Sequence, residues 1–276
     1  MQAAESGIQI DQNGDDTVAR QRRHKRPSRR RGRFSGLYKV LSVLLVAAAL
    51  VAACIVFFRV NSIEVAGNVR YTAEEVIEAS GIQQGDNLII LPAMRVSALI
   101  QTKLPYVERV AIQPVYPDGL IIKVTERVAA ASVDSAEGRW LISSQGKLLE
   151  KDNGTIQVIQ ITGLTAVGAY AGGILQAAEE EQLTLDYVKE LLVVLEQQEM
   201  LTQCTALDCT ATTSMTLNYG IYRLRLPRGG DYHYYIQLAR SALEKGLEEG
   251  KILEGQGGLL DLTVLEGRAR FRPDSD

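Results

Sequence analysis

The chain has 276 residues, with 30 Lys and Arg against 33 Asp and Glu, three Cys and two His. An apolar share of 46% excludes a wholly disordered chain, and three Cys exclude a disulfide scaffold. Two His leave little for a His-rich metal site or a histidine-based active site.

The net charge of −3 hides an asymmetry, because residues 1–39 carry ten basic and four acidic side chains and residues 40–276 carry 20 and 29. Residues 1–36 read as a disordered basic tail, since they show no apolar period and hold nine Lys or Arg between Arg20 and Arg33. Val40–Phe58 is a run of 19 residues with only Ser42 and Cys54 as weak polar interruptions. As a helix it reaches about 28 Å, close to the ~30 Å hydrocarbon core of a bilayer. Residues 37–58 are therefore assigned to a transmembrane helix. The basic flank places the N-terminus in the cytoplasm and the rest outside, and it can also meet anionic lipid headgroups. No aromatic residue interleaves the basic run, so nucleic acid is not expected as a partner. Val51-Ala52-Ala53-Cys54 has the look of a lipoprotein cleavage box, and its alanines would also suit an ordinary signal peptidase. The 39 residues before Val40 and the apolar Ile55–Phe58 beyond the cut argue instead for a retained anchor.

After the span, Ile63 and Val65 alternate with polar neighbours and lead to the turn Gly67-Asn68, which reads as a short strand. Thr72 with Glu75 forms a capping box for a helix that Gly81 ends. Pro92 opens a second helix to about Lys103, with Val96, Leu99 and Ile100 on one face. The period then becomes two in Val110–Ile112 and Leu120–Val124. Tyr116-Pro117-Asp118-Gly119 lies between them as a type I turn signal. Pro114 cannot donate a ladder hydrogen bond, so its strand is expected at the sheet edge or bulged there. Strand–helix–helix–strand–strand in this order predicts two helices on one face of a three-stranded sheet.

With Val65-Ala66-Gly67-Asn68, Gly85-Asp86-Asn87-Leu88, Leu104-Pro105-Tyr106-Val107, Tyr116-Pro117-Asp118-Gly119-Leu120 and Val124-Thr125-Glu126-Arg127, this segment resembles a POTRA domain. More narrowly, it resembles that of the FtsQ/DivIB family of bacterial cell-division proteins. Ala129 stands where the family often has Pro. The second half is similar to the same family in its Trp140–Leu149 hairpin, in Ile161-Thr162-Gly163-Leu164 and in Gly258-Leu259-Leu260-Asp261-Leu262-Thr263. Thr263 stands there in place of the usual Arg. The residues themselves predict a helix through Leu185, Val188, Leu191, Leu192 and Leu195, and strands around Cys204–Asp208, Met215–Leu217 and Tyr222–Leu226. A second long helix is predicted from Tyr235 to Leu247. The expected fold class is α+β. Its domains are a POTRA domain over 59–128, an FtsQ/DivIB-type domain with a mainly antiparallel sheet over 129–271, and a short tail over 272–276.

No catalytic motif stands out. His24 lies in the basic tail and His233 opens a helix. There is no Gly-x-Ser-x-Gly elbow, no His-Glu-x-x-His and no phosphate-binding glycine loop. Cys204 and Cys209 are about 16 Å apart if the stretch between them is extended, beyond disulfide reach, and only a tight loop would join them. Glu179-Glu180-Glu181 and Glu248-Glu249 read as solvated faces. No cofactor or metal is expected.

The resemblance implies a non-enzymatic bitopic scaffold of the divisome in the cell membrane, at the septum. It implies partners of the FtsB/DivIC and FtsL type, with the septal peptidoglycan synthase complex as a further one, and a role in assembling and regulating septal cell-wall synthesis. In the family the last strand of the second domain serves binding, and the device inferred is strand addition to an open edge. That strand is expected over Asp261–Arg268, with Leu262, Thr263, Val264, Leu265, Glu266, Gly267 and Arg268 as partner-binding residues. Two alternatives remain. A membrane-anchored envelope enzyme would need a catalytic constellation in residues 129–276. A POTRA-containing translocation or assembly module would need a β-barrel, which about 140 residues with two long helices do not supply.

Overall fold

The computed structural model describes residues 34–265 and 267–274. The basic tail before Phe34, His24 within it, Glu266 and the last two residues of the expected C-terminal tail lie outside the described residues. The chain divides into two compact units, one ending at Ala52 and the other running from Ala53 onward.

The first helix, α1 (Phe34–Phe57), contains a 22-residue stretch, Gly36–Phe57, long and apolar enough to cross a membrane by length and composition. Its side chains from Gly36 to Phe57 are exposed all round, as a helix solvated by lipid rather than by protein would be. The last turn of α1 belongs to the second unit.

That unit begins with β1 (Ser62–Ala66), α2 (Ala73–Ser80), α3 (Ala93–Lys103), β2 (Val107–Val115) and β3 (Gly119–Glu126), as the periodicity predicts. Thr72 Oγ1 accepts from Glu75 N–H at 3.2 Å and a Glu75 carboxylate oxygen accepts from Thr72 N–H at 2.8 Å, so the capping box is closed. Gly81 ends α2 with a φ of 69°. The sheet order is β1–β3–β2, with β1 parallel and β2 antiparallel to β3. Pro114 thus lies on an edge strand, where its missing N–H costs no ladder bond. The β2–β3 turn carries a cis Tyr116–Pro117 bond. Leu120, Ile122 and Val124 from β3 meet Val76 and Ala79 of α2 and Val96 and Ile100 of α3 in one core. Gly67 has a φ of 82°, and a Cβ there would lie 2.3 Å from the Val124 carbonyl oxygen. The Val-Ala-Gly-Asn turn therefore requires glycine both for its left-handed backbone and for the close approach of β3.

The rest of the unit forms a nine-stranded sheet from β4 (Ala131–Ser135), β5 (Trp140–Ile142), β6 (Leu148–Lys151), β7 (Ile159–Ala166), β8 (Cys204–Asp208), β9 (Ser214–Tyr219), β10 (Tyr222–Pro227), β11 (Gly258–Leu265) and β12 (Arg268–Pro273). Their order is β12–β11–β10–β9–β8–β7–β4–β5–β6. Five neighbouring pairs are antiparallel, while β4–β7, β7–β8 and β10–β11 are parallel. Two helices, α4 (Gln182–Gln197) and α5 (Tyr232–Glu248), cover one face. Val188, Leu191, Leu192 and Leu195 of α4, with Ile236, Ala239 and Leu243 of α5, pack on Leu207, Met215, Leu217, Leu224, Leu226 and Leu260. Each fully buried Leu contributes about 2 kcal/mol. Asp231 caps α5, its carboxylate accepting from Tyr234 N–H at 3.1 Å. Gly163, with a φ of 80°, lets β7 approach Cys209, where a Cβ would lie 2.7 Å from main-chain atoms.

Candidate partner-binding edge

The stretch expected to be the terminal strand is not terminal. Residues 258–261 of β11 pair with 222–225 of β10 on one side and with 270–273 of β12 on the other. The chain turns at Gly267, with a φ of 75°, and returns as β12. The open edge is therefore β12, six residues long, and it runs into the stretch expected as a tail. Alternation explains both the strand and its weak signal in the sequence. Ala269 and Phe271 are half-buried and pack on the helix-covered core, while Arg268, Arg270 and Arg272 are exposed on the opposite face. Two apolar residues among three arginines give a weak strand signal.

The seven residues expected to bind are scattered by this turn. Leu262 is buried in the core, and Thr263 and Val264 are exposed in a bulge, where pairing shifts between Asp261 and Leu265. Leu265 is opposite Arg268, Gly267 makes the turn, and Glu266 is outside the described residues. Of the seven, Arg268 alone sits on the open strand. The rest of that strand, Ala269–Pro273, lies beyond the stretch the sequence marks.

Main-chain alternation tells which groups of β12 are free. Asp274 N–H donates to Gly257 C=O at 3.1 Å. In an antiparallel pair hydrogen-bonded positions alternate. Arg272 and Arg270 thus turn their N–H and C=O toward β11, and Phe271 and Ala269 turn theirs outward. Pro273 falls at an outward position and leaves no donor there. Beside the strand, a groove of about 530 Å³ runs against α5, lined by Ala242, Lys245, Gly246, Ile252 and Phe271 among others.

Electrostatics on the arginine face are partly balanced. Arg225 Nη1 lies 3.6 Å from Asp261, and Arg223 pairs with Asp274. The burial of Asp261 raises its pKa, but hydrogen bonds from Thr263 N–H (3.0 Å) and Thr263 Oγ1 (2.7 Å), with Arg225 and Arg272, bring it below the ordinary carboxylate value. Thr263 thus serves the Asp261 turn. Arg268, Arg270 and Arg272 show no ion pair among the described residues.

The opposite edge, β6, is covered. Leu148 N–H donates to Gly173 C=O at 2.9 Å, and Leu148 C=O accepts from Gly172 N–H at 2.8 Å. The first domain abuts the same strand. The Tyr106 hydroxyl and Arg70 Nη2 both donate to Glu150 Oε1, at 2.8 and 2.7 Å. The Arg70 guanidinium lies 4.0 Å from the Tyr106 ring centroid. Tyr106, Leu141 and Leu149 form a small core between the domains. Burial, followed by the Glu150 hydrogen bond, raises the Tyr106 pKa.

Other candidates fall elsewhere. His233 is exposed at the start of α5, with Nε2 3.3 Å from the Gln198 amide nitrogen. Tyr232 is buried, and its hydroxyl accepts from Gly229 N–H at 2.8 Å. Cys204 and Cys209 are both buried and unpaired, and burial pushes each thiol up to about 12. Among the described residues no group of His, Cys, Asp or Glu is placed to hold a metal ion.

Comparison with known proteins adds a family. A family model described as "POTRA domain, FtsQ-type" matches residues 58–127. The chain is 29% identical over 124 residues to a cell division protein FtsQ of Corynebacterium glutamicum, covering 45% of this chain and 55% of that protein. It is 32% identical over 146 residues to a cell division protein DivIB of Clostridium botulinum, 51% of this chain and 56% of the relative. With an FtsQ of Syntrophotalea carbinolica it shares 35% identity over 94 residues, 33% of each. The alignments span about half the length of the first two relatives.

Proposed function

We propose that this chain, which belongs to the FtsQ/DivIB family of cell-division proteins, is a non-enzymatic membrane scaffold of the divisome. In this reading α1 crosses the cell membrane once, with the N-terminus cytoplasmic, and the two domains stand outside at the septum. The partners are division proteins of the FtsB/DivIC and FtsL type, and binding them helps assemble and regulate septal cell-wall synthesis.

The observation that carries the reading is the outer main chain of β12, which no other strand covers among the described residues. A partner strand completing the sheet would take up the outward N–H and C=O groups of Ala269 and Phe271. The three arginines favour a segment with acidic side chains at alternate positions, which would lie on the same face. Its other side chains would extend toward the groove beside α5. Arginines, a terminal proline and a bulge also guard an edge against indiscriminate pairing, so they narrow the choice of partner.

The test is Ala269→Pro in the full-length protein. The substitution removes an outward donor and no β11–β12 bond. Expected are roughly tenfold or greater loss of affinity for the FtsB/DivIC-type partner, about 1.4 kcal/mol, and an unchanged thermal unfolding profile. Unchanged co-purification of that partner would overturn strand addition at β12.

A further inference from the structure

Two loops at one end of the first exported domain expose apolar side chains that the partner-binding edge does not use. One is the segment between α2 and α3 with the first turn of α3, where Ile89, Ile90 and Met94 are 52%, 76% and 89% exposed. The other is the end of β2 and the β2–β3 turn, where Val115 and Tyr116 are 47% and 57% exposed. Both are tied to the residues where the chain leaves α1.

Asn87 ties the first. Its side-chain amide donates to the carbonyls of Ile55 at 3.2 Å and Cys54 at 3.4 Å, in the last turn of α1. Its Oδ1 accepts from Ile89 N–H at 2.9 Å and Ile90 N–H at 3.4 Å. One side chain thus joins the end of α1 to the turn that presents the two isoleucines. Leu88 N–H donates to Phe58 C=O at 3.0 Å, which continues the tie. The second loop is held by Asn61 N–H, which donates to Asp118 C=O at 2.9 Å. The Tyr116 and Phe58 rings pack edge to face with centroids 5.4 Å apart.

We propose that these two loops sit in the headgroup–acyl boundary of the bilayer, so that the first domain rests on the membrane through Ile89, Ile90 and Met94 on one side and Val115 and Tyr116 on the other. The inference rests on the reading of α1 as a membrane span. Given that reading, the occupant follows from chain continuity: the residues that clasp both loops are those that leave the lipid. The side-chain types suit the place. Isoleucine and methionine bury apolar surface, and tyrosine favours the interface, with its ring in lipid and its hydroxyl in water. Exposed Arg59 and Arg95 flank the loops and can reach lipid phosphates. Asn87 then acts as a clip that holds the domain to the surface where it emerges.

The test places single tryptophans in the full-length protein in nanodiscs of phosphatidylcholine and phosphatidylglycerol, with or without brominated acyl chains. Trp140, the chain's sole tryptophan, stays as an internal reference in β5. Ile90→Trp and Tyr116→Trp report on the two loops, and Leu45→Trp on the span. Val69→Trp is the control, an isolated residue 91% exposed beyond the far end of β1. Expected is at least a twofold drop in the added emission for Ile90→Trp and Tyr116→Trp in brominated discs, with none for Val69→Trp. Quenching of Leu45→Trp with either loop as bright as the control overturns this inference alone. An unquenched Leu45→Trp overturns the membrane reading and the inference with it.

Discussion

The two edges of the nine-stranded sheet end differently. At β6, a loop around Gly172 and Gly173 takes up the outward groups of Leu148, and Tyr106 and Arg70 of the first domain close on Glu150. At β12, the outward groups of Ala269 and Phe271 meet no other strand among the described residues. An open row of donors and acceptors invites pairing, and folds normally blunt it. This fold spends a loop and a domain contact on one edge and leaves the other with charge, a proline and a bulge. On the reading proposed above, the open edge is the one kept for a selected strand.

The largest way to break the contrast is to open β6. Gly172 has a φ of 81°, and its N–H reaches Leu148 C=O at 2.8 Å. Gly172→Pro is incompatible with both, because proline holds φ near −65° and has no N–H. The expected cost is about 3 kcal/mol, a fall in Tm of roughly 6–12 °C. A second exposed edge should also drive self-association that light scattering detects. A variant as monomeric and as stable as the parent would show that the loop covers β6 without protecting it.

A smaller effect sharpens the other side. Arg268 is exposed at the start of β12 and shows no ion pair among the described residues. Arg268→Glu should weaken binding of the FtsB/DivIC-type partner about tenfold at low ionic strength and less in 0.5 M salt. Stability should stay within about 0.5 kcal/mol. Titration calorimetry at two salt concentrations checks this, and an affinity that ignores both charge and salt would remove the arginines from recognition.

The elements that the sequence revealed are those whose signal is local. The Thr72–Glu75 box, the apolar stripe of α4 and the alternation of β3 each depend on residues within one element, and each appears where the spacing predicts. What stayed hidden depends on distant main chain. Gly163 is needed because Cys209, 46 positions on, passes behind it, and no pattern around residue 163 records that approach. The loop over β6 bonds through backbone atoms, which any residues carry. β12 was within reach, since Ala269 and Phe271 alternate after a glycine. Its charged residues outweigh that period, so the sequence puts the last strand at Asp261–Arg268, one hairpin arm early. The correct edge depends on counting strands in the sheet.

The smallest expected effect concerns Asp261, which lies on β11 between β10 and β12. Its side chain is 8% exposed, next to Arg225 and opposite Arg270 in register. Its pKa is depressed in the folded chain, the Thr263 bonds and nearby arginines outweighing burial. A depressed carboxylate stabilises the fold above its unfolded value, about 3.9, and loses that contribution as pH falls through the folded value. Asp261→Asn keeps an acceptor for Thr263 and removes the titration. The urea midpoint of the parent should therefore fall more steeply below about pH 4 than that of the variant, with the two curves running parallel above pH 5. Other carboxylates, Asp208 among them, titrate alike in both proteins and cancel in the difference. Identical acid limbs would mean that the Asp261 charge does nothing to hold β11 against β12. The open edge would then rest on main-chain pairing and on the packing of Phe271 alone.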